Sequence, residues 1–336
     1  MKTVLFISYF YPPFDSTAAV EASQLSRHLV EFGWEPLVLA GFNDLNPSLP
    51  VQVPEELVYR TAEFDINALP KRILSRRNHV GHAADGSTRL GGMTRRLEQA
   101  YRQILHFPDA HIGWLPYARR EGRRLIKLRQ PDLIFSMGGP FTSHLVARSL
   151  AVEGDIPWIA DFRDLWTDNH YFQRARPLNR LERRMEAWAL APASALTTPT
   201  PAWAAVLRQK FGKATSVVPN GFELSELERV FQHTRPRDGK KFVLAYTGVY
   251  YRGYQDADAL LDAIALLKRR GLIDSVSFEL RLVGRYCRAL RPAVARRDLQ
   301  DLVVMEDAVS HHDALREQAR ATAVVFFLWQ SPRGRG

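Results

Sequence analysis

The sequence predicts an α/β protein whose parallel sheets are built in two successive units. Three observations predict this fold class: apolar runs of strand length, amphipathic stretches of helix length between them, and glycine or proline turns where one kind of segment passes into the next. The 336 residues are enough for two domains of ordinary size, and an apolar fraction of 46% is enough to form a buried core.

The start of the chain predicts a βαβ unit. Residues 4–9 are an apolar run of strand length, residues 17–32 have apolar side chains at helical spacing and stop at Gly33, and residues 36–40 are a second apolar run. A strand, a helix and a strand in this order imply a parallel sheet with a right-handed crossover. The turn after the first strand lacks the G-x-G-x-x-G pattern, so no dinucleotide fingerprint is present.

The same alternation continues to about residue 222. Residues 43–108 are the least regular part, with a strand expected at 57–60, a helix at 94–106 and a loop at 79–92 that is rich in glycine and small polar residues. The later elements are a helix at 114–129, a strand at 132–136, a helix at 141–153, a strand starting at Trp158, a helix at 178–190, a strand at 195–198, a helix at 201–211 and a strand at 216–218.

The helix expected at 178–190 separates its apolar and charged side chains onto two faces. Leu181, Met185 and Trp188 recur at helical spacing, while Arg183, Arg184 and Glu186 lie on the other side. We therefore expect the apolar stripe to pack on the core and the charged face to contact water.

A second αβ series follows a charged stretch. Residues 223–241 contain Pro236 and Gly239 and are expected to form a linker. Thr247-Gly248 and Val283-Gly284 place a small residue where a strand passes into a loop, which suits close approach of a phosphate. The expected strands of this series lie at 242–247, 278–283, 302–305 and 323–328, and the helices at 257–270 and 312–320.

Charge is spread unevenly along the chain, whose net charge is +10. Residues 71–129 hold fourteen Arg and Lys against four Asp and Glu. Such a region can attract an anionic membrane surface, a phosphorylated ligand or nucleic acid, although a solvated basic face is the commoner alternative. No helix-turn-helix, zinc-finger or RNA-recognition motif is present, so we expect no nucleic-acid partner.

The cysteine, the apolar stretches and the histidines exclude further classes of protein and of site. Cys287 is the one cysteine, so no intramolecular disulfide can form and a reducing cytosol is expected. No apolar stretch reaches the roughly 18 residues of a membrane span, and we expect a soluble cytoplasmic chain. The spacing of the histidines at 79, 82, 106 and 111 matches no metal site, so they are interpreted as loop residues and no metal is expected.

The stretch at 156–169 is the strongest candidate for an active site. An apolar strand ends there in Asp161, Arg163 and Asp164, packed around Phe162 and Trp166. Ligands of open parallel sheets bind beyond the carboxyl ends of the strands, so clustered carboxylates and a guanidinium at this point predict the floor of a site. A strand-to-loop corner held by an Asp–Arg pair is the alternative.

Taken in order, these motifs resemble the family 4 (group 1) glycosyltransferases of the GT-B fold, which have two Rossmann-like doubly wound domains facing each other across a cleft. No single motif is specific, but their order and spacing cover nearly the whole chain. The motifs are Phe-Tyr-Pro-Pro at 10–13, Arg-His-Leu at 27–29 with Gly33, Pro157 with the block at 161–166, and the turns at 218–222, 246–248 and 282–284.

The resemblance implies transfer of a sugar from a nucleotide-sugar donor to a hydroxyl, with retention at the anomeric carbon and with no metal or cofactor. Residues 1–222 would hold the acceptor and residues 242–336 the nucleotide. Asp161, Arg163 and Asp164 would lie near the reacting sugar. Many relatives have histidine at about the position of Arg163; arginine stays protonated, so Asp164 becomes the better candidate for orienting the acceptor.

The remaining site residues also follow from the resemblance. Arg252 and Arg285 follow the two glycine turns at a distance that suits a pyrophosphate, with surface charge as the alternative. The donor or phosphate-binding candidates are Gly248, Arg252, Gly284, Arg285 and Asn220, and the acceptor-side candidates are Ser16, Thr17 and His144.

The chain departs from the family pattern at its end. In the family, the last strand seen here is followed by a glycine-containing loop and a helix with two glutamates that bind the donor, whereas this chain reads Ser-Pro-Arg-Gly-Arg-Gly at 331–336. We therefore expect an incomplete second domain with an exposed apolar edge at 326–329. A fragment, a truncated reading frame or a partner that covers the edge would each explain this.

Three functions remain open. The first is a glycosyltransferase that acts on a lipid-linked or polysaccharide acceptor at the cytoplasmic face of an anionic membrane. The second is a nucleotide-sugar epimerase, which also uses two facing Rossmann-like domains. The third is a catalytically inactive binding or scaffold protein.

Overall fold

A computed structural model describes residues 1–14, 16–42, 49–64, 107–169, 176–234, 241–331 and 334–335. The chain divides into two compact units, Met1–Gly221 and Phe222–Gly336. Several predicted features lie outside the described residues. They are the helix expected at 94–106, the loop at 79–92, the histidines at 79, 82 and 106, and the basic residues between 71 and 102.

Unit 1 contains a seven-stranded sheet in which every pairing is parallel. The strand order is β3-β2-β1-β4-β5-β6-β7, which reverses direction at the first strand as in doubly wound folds. The strands are β1 (Lys2–Ile7), β2 (Trp34–Gly41), β3 (Val58–Thr61), β4 (Leu133–Gly138), β5 (Trp158–Phe162), β6 (Ala195–Thr198) and β7 (Thr215–Val217).

Helices cover both faces of this sheet. On one face, α1 packs its buried Ala22 with Phe6, Val38 and Ala40. The other face holds the larger core, which includes Trp114, Leu150 and Trp158 and is covered by the later helices. The helices are α1 (Thr17–Leu29), α2 (Leu115–Arg129), α3 (Thr142–Gly154), α4 (Arg176–Leu190) and α5 (Pro201–Phe211).

Helix α4 is rotated from the predicted orientation: Arg183 and Arg184 are exposed and Met185 packs against the core, as expected, but other residues differ. Glu182 and Glu186 are buried, with 9% and 1% of their surface exposed, whereas Leu181 and Trp188 are 53% and 54% exposed. The prediction was wrong for these four residues because the two carboxylates bind polar groups beneath the helix, as described below. Those contacts hold Glu182 and Glu186 inward and leave Leu181 and Trp188 outside.

Unit 2 contains a four-stranded parallel sheet in the order β10-β9-β8-β11. Its core includes the fully buried Leu261, Leu280 and Leu299. The elements are α6 (Leu224–His233), β8 (Phe242–Thr247), α7 (Asp258–Arg269), β9 (Phe278–Val283), α8 (Arg291–Ala295), β10 (Val303–Glu306), α9 (His311–Arg320), β11 (Ala323–Val324), and an antiparallel pair β12 (Gln330–Ser331) and β13 (Gly334–Arg335).

Two stretches of unit 2 differ from the sequence prediction. The expected linker at 223–241 contains helix α6, where Glu226 lies 3.5 Å from His311 Nε2 of α9. The strand expected at 323–328 pairs only at Ala323–Val324, because Gln255 Nε2 donates to the carbonyl of Phe327 at 3.0 Å and draws the chain out of the ladder. Phe326 and Leu328 remain 80% and 60% exposed, while Phe327 is buried.

Within the described ranges, no helix has the length and apolar content that a bilayer crossing requires.

Candidate functional site

The candidate site lies at the carboxyl ends of β4, β5 and β6 in unit 1. Asp161 is the fourth residue of β5, and the parallel register places it beside Met137 of β4 and Thr197 of β6. Only 1% of Asp161 is exposed. The strand ends therefore hold its carboxylate in a protein environment rather than in water.

The two oxygens of Asp161 have different surroundings. Thr197 Oγ1 donates to Oδ1 at 2.5 Å, while Oδ2 lies 3.7 Å from Arg163 Nε and has no hydrogen-bond partner among the described residues. Burial raises the pKa of Asp161 to about 6, and the charge of Arg163 and the hydrogen bond from Thr197 oppose that rise. A carboxyl of this kind changes protonation state close to neutral pH and can accept a proton.

Arg163 is fixed by two segments that lie far from it in the sequence. Its Nε donates to Glu21 Oε2 of α1 at 2.7 Å, and its Nη1 donates to the carbonyl of Val218 at 3.4 Å. The side chains of Arg163 and Glu21 are each 15% exposed. The guanidinium is therefore held between the first helix and the segment after β7.

Sequence reasoning missed Glu21. The available signal was topological: α1 follows the first strand of a parallel sheet, so its N-terminal half starts at the same sheet edge as Asp161. Ser16 and Thr17, which were expected on the acceptor side, lie at this end of α1. Ser16 is the N-cap of the helix, where its Oγ accepts from Ala19 N at 3.1 Å, and Thr17 is exposed.

His144 is fully buried in the first turn of α3. Its Nδ1 lies 2.8 Å from Ser136 Oγ, which also accepts from Trp158 Nε1 at 2.8 Å, and its Nε2 has no partner among the described residues. Burial lowers the pKa of His144 to about 3. The imidazole is therefore neutral at physiological pH and lacks the charge of a cationic binding group.

Gly138 allows the His144 ring to lie against the end of β4. A Cβ on Gly138 would stand 2.5 Å from His144 Nε2 and 3.1 Å from the Asp161 carbonyl oxygen. The glycine therefore allows His144 and the Asp161 backbone to lie close together. The sequence analysis did not predict this contact.

The acidic loop after β5, residues 163–168, is held in place by side chains of α4 and α5. Lys210 Nζ lies 2.6 Å from Asp168 Oδ2 and 2.5 Å from Glu186 Oε2. Trp166 Nε1 donates to Glu182 Oε1 at 3.2 Å, and Thr167 Oγ1 donates to Glu186. Burial raises the pKa of Glu186, and Lys210 opposes that rise. These contacts fix the loop that carries Asp164, whose side chain is exposed.

The two glycine turns of unit 2 meet at the carboxyl ends of β8 and β9. Gly248 N donates to the Val283 carbonyl at 3.0 Å, and a Cβ on Gly284 would stand 1.8 Å from the Gly248 carbonyl oxygen. Gly284 also has a φ of 142°, which favours glycine. The structure thus brings together two of the predicted donor residues.

The other donor candidates are exposed. Arg252 and Arg285 present their side chains to solvent in unit 2, with the backbone carbonyl of Arg285 accepting from Tyr250 N at 3.0 Å. Asn220 is exposed near the end of unit 1. Their roles toward a ligand stay predictions.

His111 is the one of the four predicted loop histidines that the structure describes, and it is packed. Its ring centroid lies 3.9 Å from that of Tyr9, and its Nδ1 lies 3.2 Å from Glu63 Oε2. Across the described part of the chain, no group of three or more His, Cys, Asp or Glu side chains is arranged to hold a metal ion.

The family comparison identifies one region of the chain. A family model described as a glycosyl transferase 4-like domain matches residues 16–221. This match contains every unit 1 residue of the candidate site. Comparison with curated protein sequences finds no match.

Solved structures share the fold over most of the chain. Sucrose-phosphate synthase from Thermosynechococcus elongatus has a TM-score of 0.61 at 14% identity, covering 96% of this chain and 75% of that one. HepE from Anabaena, in complex with UDP and glucose, has a TM-score of 0.54 at 14% identity, covering 96% and 73%. A Listeria monocytogenes protein proposed to be a UDP-N-acetylglucosamine 2-epimerase has a TM-score of 0.50 at 14% identity, covering 96% and 74%. These similarities place the chain in the GT-B fold class.

Proposed function

The chain belongs to the glycosyl transferase 4-like domain family, and from that premise we propose that it is a retaining glycosyltransferase. It would move a sugar from a nucleotide-sugar donor to a hydroxyl group of the acceptor. In this reaction the bond from the anomeric carbon to the phosphate oxygen breaks, and a bond from that carbon to the acceptor oxygen forms. The acceptor hydroxyl loses its proton, and a nucleoside diphosphate leaves.

The observation that carries the proposal is the Asp161 carboxylate. It is buried at the carboxyl edge of the sheet, has one oxygen without a hydrogen-bond partner among the described residues, and has a pKa of about 6. A group with these properties suits the orientation of an acceptor hydroxyl and the acceptance of its proton. Arg163, held by Glu21, would keep the carboxylate in place, and neutral His144 would line the same edge.

Unit 2 would bind the donor. The diphosphate would lie beside the turns at Gly248 and Gly284, and Arg252 and Arg285 would supply positive charge as the diphosphate departs. Because two arginines can balance the leaving charge, the proposal includes neither a metal ion nor a cofactor.

The acceptor is proposed to be lipid-linked or a saccharide of the cell envelope or an exopolysaccharide. The support is the basic character of α2, which has six Arg and Lys against one Glu and would attract an anionic surface. The protein would then work in the cytoplasm, as a peripheral protein on the inner face of the membrane.

The first test is a binding and turnover measurement on the full chain. We expect calorimetry to show binding of UDP, ADP or GDP, and NMR to show that a transferred sugar keeps its anomeric configuration. Arg285→Ala should weaken nucleotide binding, whereas Arg320→Ala, an exposed arginine on α9, should not. Absence of any nucleoside diphosphate binding would refute the transferase and favour a catalytically inactive scaffold.

An epimerase is the second candidate, because a structure proposed to be an epimerase shares the fold at a TM-score of 0.50. The two activities differ in their need for an acceptor. Conversion of a UDP-sugar to its epimer without an acceptor, followed by proton NMR, would favour the epimerase over the transferase.

A further inference from the structure

Helix α4 has apolar side chains that are exposed on one side and carboxylates that are buried and hydrogen-bonded on the other. Leu181 and Trp188 are more than half exposed, and with Met185, which is half-buried against the core, they form an apolar stripe at i, i+4 and i+7. The helix cannot turn this stripe inward, because Glu182 and Glu186 on its other side hold Trp166, Thr167 and Lys210. Leu181 and Trp188 therefore lie on the surface of unit 1 as long as these contacts hold.

This stripe borders a groove of about 340 Å³ between α2, α3 and α4. The Arg148 guanidinium lies 3.6 Å from the centroid of the Trp188 ring, and its Nε donates to the Trp188 carbonyl at 3.1 Å. Val152 on the facing helix is 55% exposed. The groove lining includes Leu115, Leu145, Val152, Met185 and Trp188.

The three helices around the groove are strongly basic. Their residues include eleven Arg and Lys against four Glu. Two of these glutamates, Glu182 and Glu186, point inward, and Glu153 is paired with both Arg119 and Arg123. The outer face therefore presents apolar side chains within an excess of positive charge.

We propose that this face of α2, α3 and α4, hereafter the basic apolar face, docks on an anionic membrane surface. Trp188 and Leu181 would enter the headgroup region, where tryptophan is favoured, and the surrounding arginines would contact lipid phosphates. The inference rests on the proposed function in one respect: it supplies the route by which a lipid-linked acceptor reaches the site. It also assigns the contact to particular side chains.

Charge complementarity favours a membrane over a second copy of the chain as the partner of the basic apolar face. Two copies paired through this face would bring like charges together, such as the exposed Arg120 and Arg184 of each copy, and like charges across an interface oppose association. An anionic bilayer offers the opposite charge together with an apolar interior for the stripe.

Vesicle pelleting of the full chain tests the proposal. We expect strong recovery with phosphatidylcholine vesicles that contain phosphatidylglycerol and weak recovery with phosphatidylcholine alone. The double variant Leu181→Gln/Trp188→Gln should bind the anionic vesicles at least about tenfold more weakly. Leu272→Gln/Val276→Gln changes two residues of unit 2 that are 64% and 73% exposed, and should bind as the wild type does.

The charge contribution is tested separately. Arg120→Gln/Arg184→Gln removes two exposed bases and should weaken anionic-vesicle binding by about tenfold or more, with binding recovered at low salt. Lipids brominated near the headgroup should quench tryptophan fluorescence in the wild type and quench it less in Trp188→Phe. Circular dichroism melting would confirm that each variant is folded.

Three results would overturn the proposal: equal recovery with both kinds of vesicle, full recovery of the Leu181→Gln/Trp188→Gln variant, or a wild-type dimer in sedimentation that this variant converts to a monomer. Nucleotide binding by the same preparations separates the two conclusions. Vesicle binding that persists without nucleotide binding would refute the proposed transferase alone, whereas nucleotide binding without vesicle binding would refute the docking face alone.

Discussion

Asp161 is the residue where stability and proposed activity oppose each other. Its folded-state pKa of about 6 lies above the unfolded value of 3.8, so the folded state binds more protons between those two pH values. Stability therefore falls as pH rises through that window. At pH 7 the buried charge costs about 3 kcal/mol.

We predict that Asp161→Asn raises the melting temperature at pH 7 by about 5 °C, because the amide stays neutral. Sugar transfer should fall by about 100-fold, since the variant cannot accept a proton. Scanning fluorimetry and a transfer assay measure the two effects. Asp164→Asn, at an exposed position, is the control: if transfer is lost there and not in Asp161→Asn, Asp164 orients the acceptor as first expected from the sequence.

His144 gives the opposite pH dependence. Its folded-state pKa of about 3 lies below the unfolded value of 6.5, so its contribution to stability is complete above pH 6.5 and is lost as pH falls toward 3. We predict that the wild type loses about 2 kcal/mol between pH 7 and pH 5 relative to His144→Phe, whose side chain does not titrate. Urea unfolding at each pH measures the difference; parallel pH curves would contradict the prediction.

Single residues also mark the limit of sequence reasoning. Asp161 and Arg163 were found because they follow an apolar strand directly. Glu21, Thr197 and Val218 were not, because each contacts the site across more than 30 residues of chain and no local pattern records such a contact.

At the scale of elements, the rotated α4 shows how a few polar contacts change which residues of an amphipathic helix are buried. The apolar stripe predicted burial, but Glu182 and Glu186 bind Trp166, Thr167 and Lys210, and turning the helix would leave these buried polar groups without their partners. The spacing of apolar and polar residues along a helix tells which residues share a face. The neighbouring elements decide which face is buried.

We predict that Lys210→Met destabilises the chain by about 3 kcal/mol, because Glu186 and Asp168 lose their shared cation. The double variant Lys210→Met/Glu186→Gln should recover part of this loss, since the buried charge is then also gone. Lys127→Met on the exposed surface of α2 is the matched control and should change stability by less than about 0.5 kcal/mol. Urea unfolding provides the measurement, and equal effects of the two single variants would disprove the anchoring role.

The glycine turns of unit 2 allow a similar comparison. Gly284→Ala places a Cβ 1.8 Å from a backbone oxygen, so the turns after β8 and β9 must move apart, and we expect loss of nucleoside diphosphate binding by about tenfold or more. Gly271→Ala is also at a positive φ, of 65°, but has no atom within 4 Å of the added Cβ. It should lose stability to strain and keep nucleotide binding, as measured by calorimetry.

At the scale of the whole molecule, each unit has its own sheet and its own core. The family match at 16–221 lies within unit 1. We predict that a chain ending at residue 221 melts cooperatively by itself and is stabilised by Asp161→Asn as the full chain is, because all contacts of that carboxylate lie inside the unit. A gradual, non-cooperative melting curve would contradict this expectation.

The sequence by itself determined most of the order of helices and strands in the described regions, the parallel sheets, the two units and the strand end that carries Asp161, but it missed α6, α8 and the pair of β12 and β13. The predicted features follow from the period of apolar residues and from turn residues, which are local properties of the chain. Only the tertiary structure decided which side of α4 is buried, where the last parallel strand stops, and that Glu21 and Thr197 complete the site. These outcomes depend on polar contacts between segments far apart in sequence, whose energies no local pattern contains.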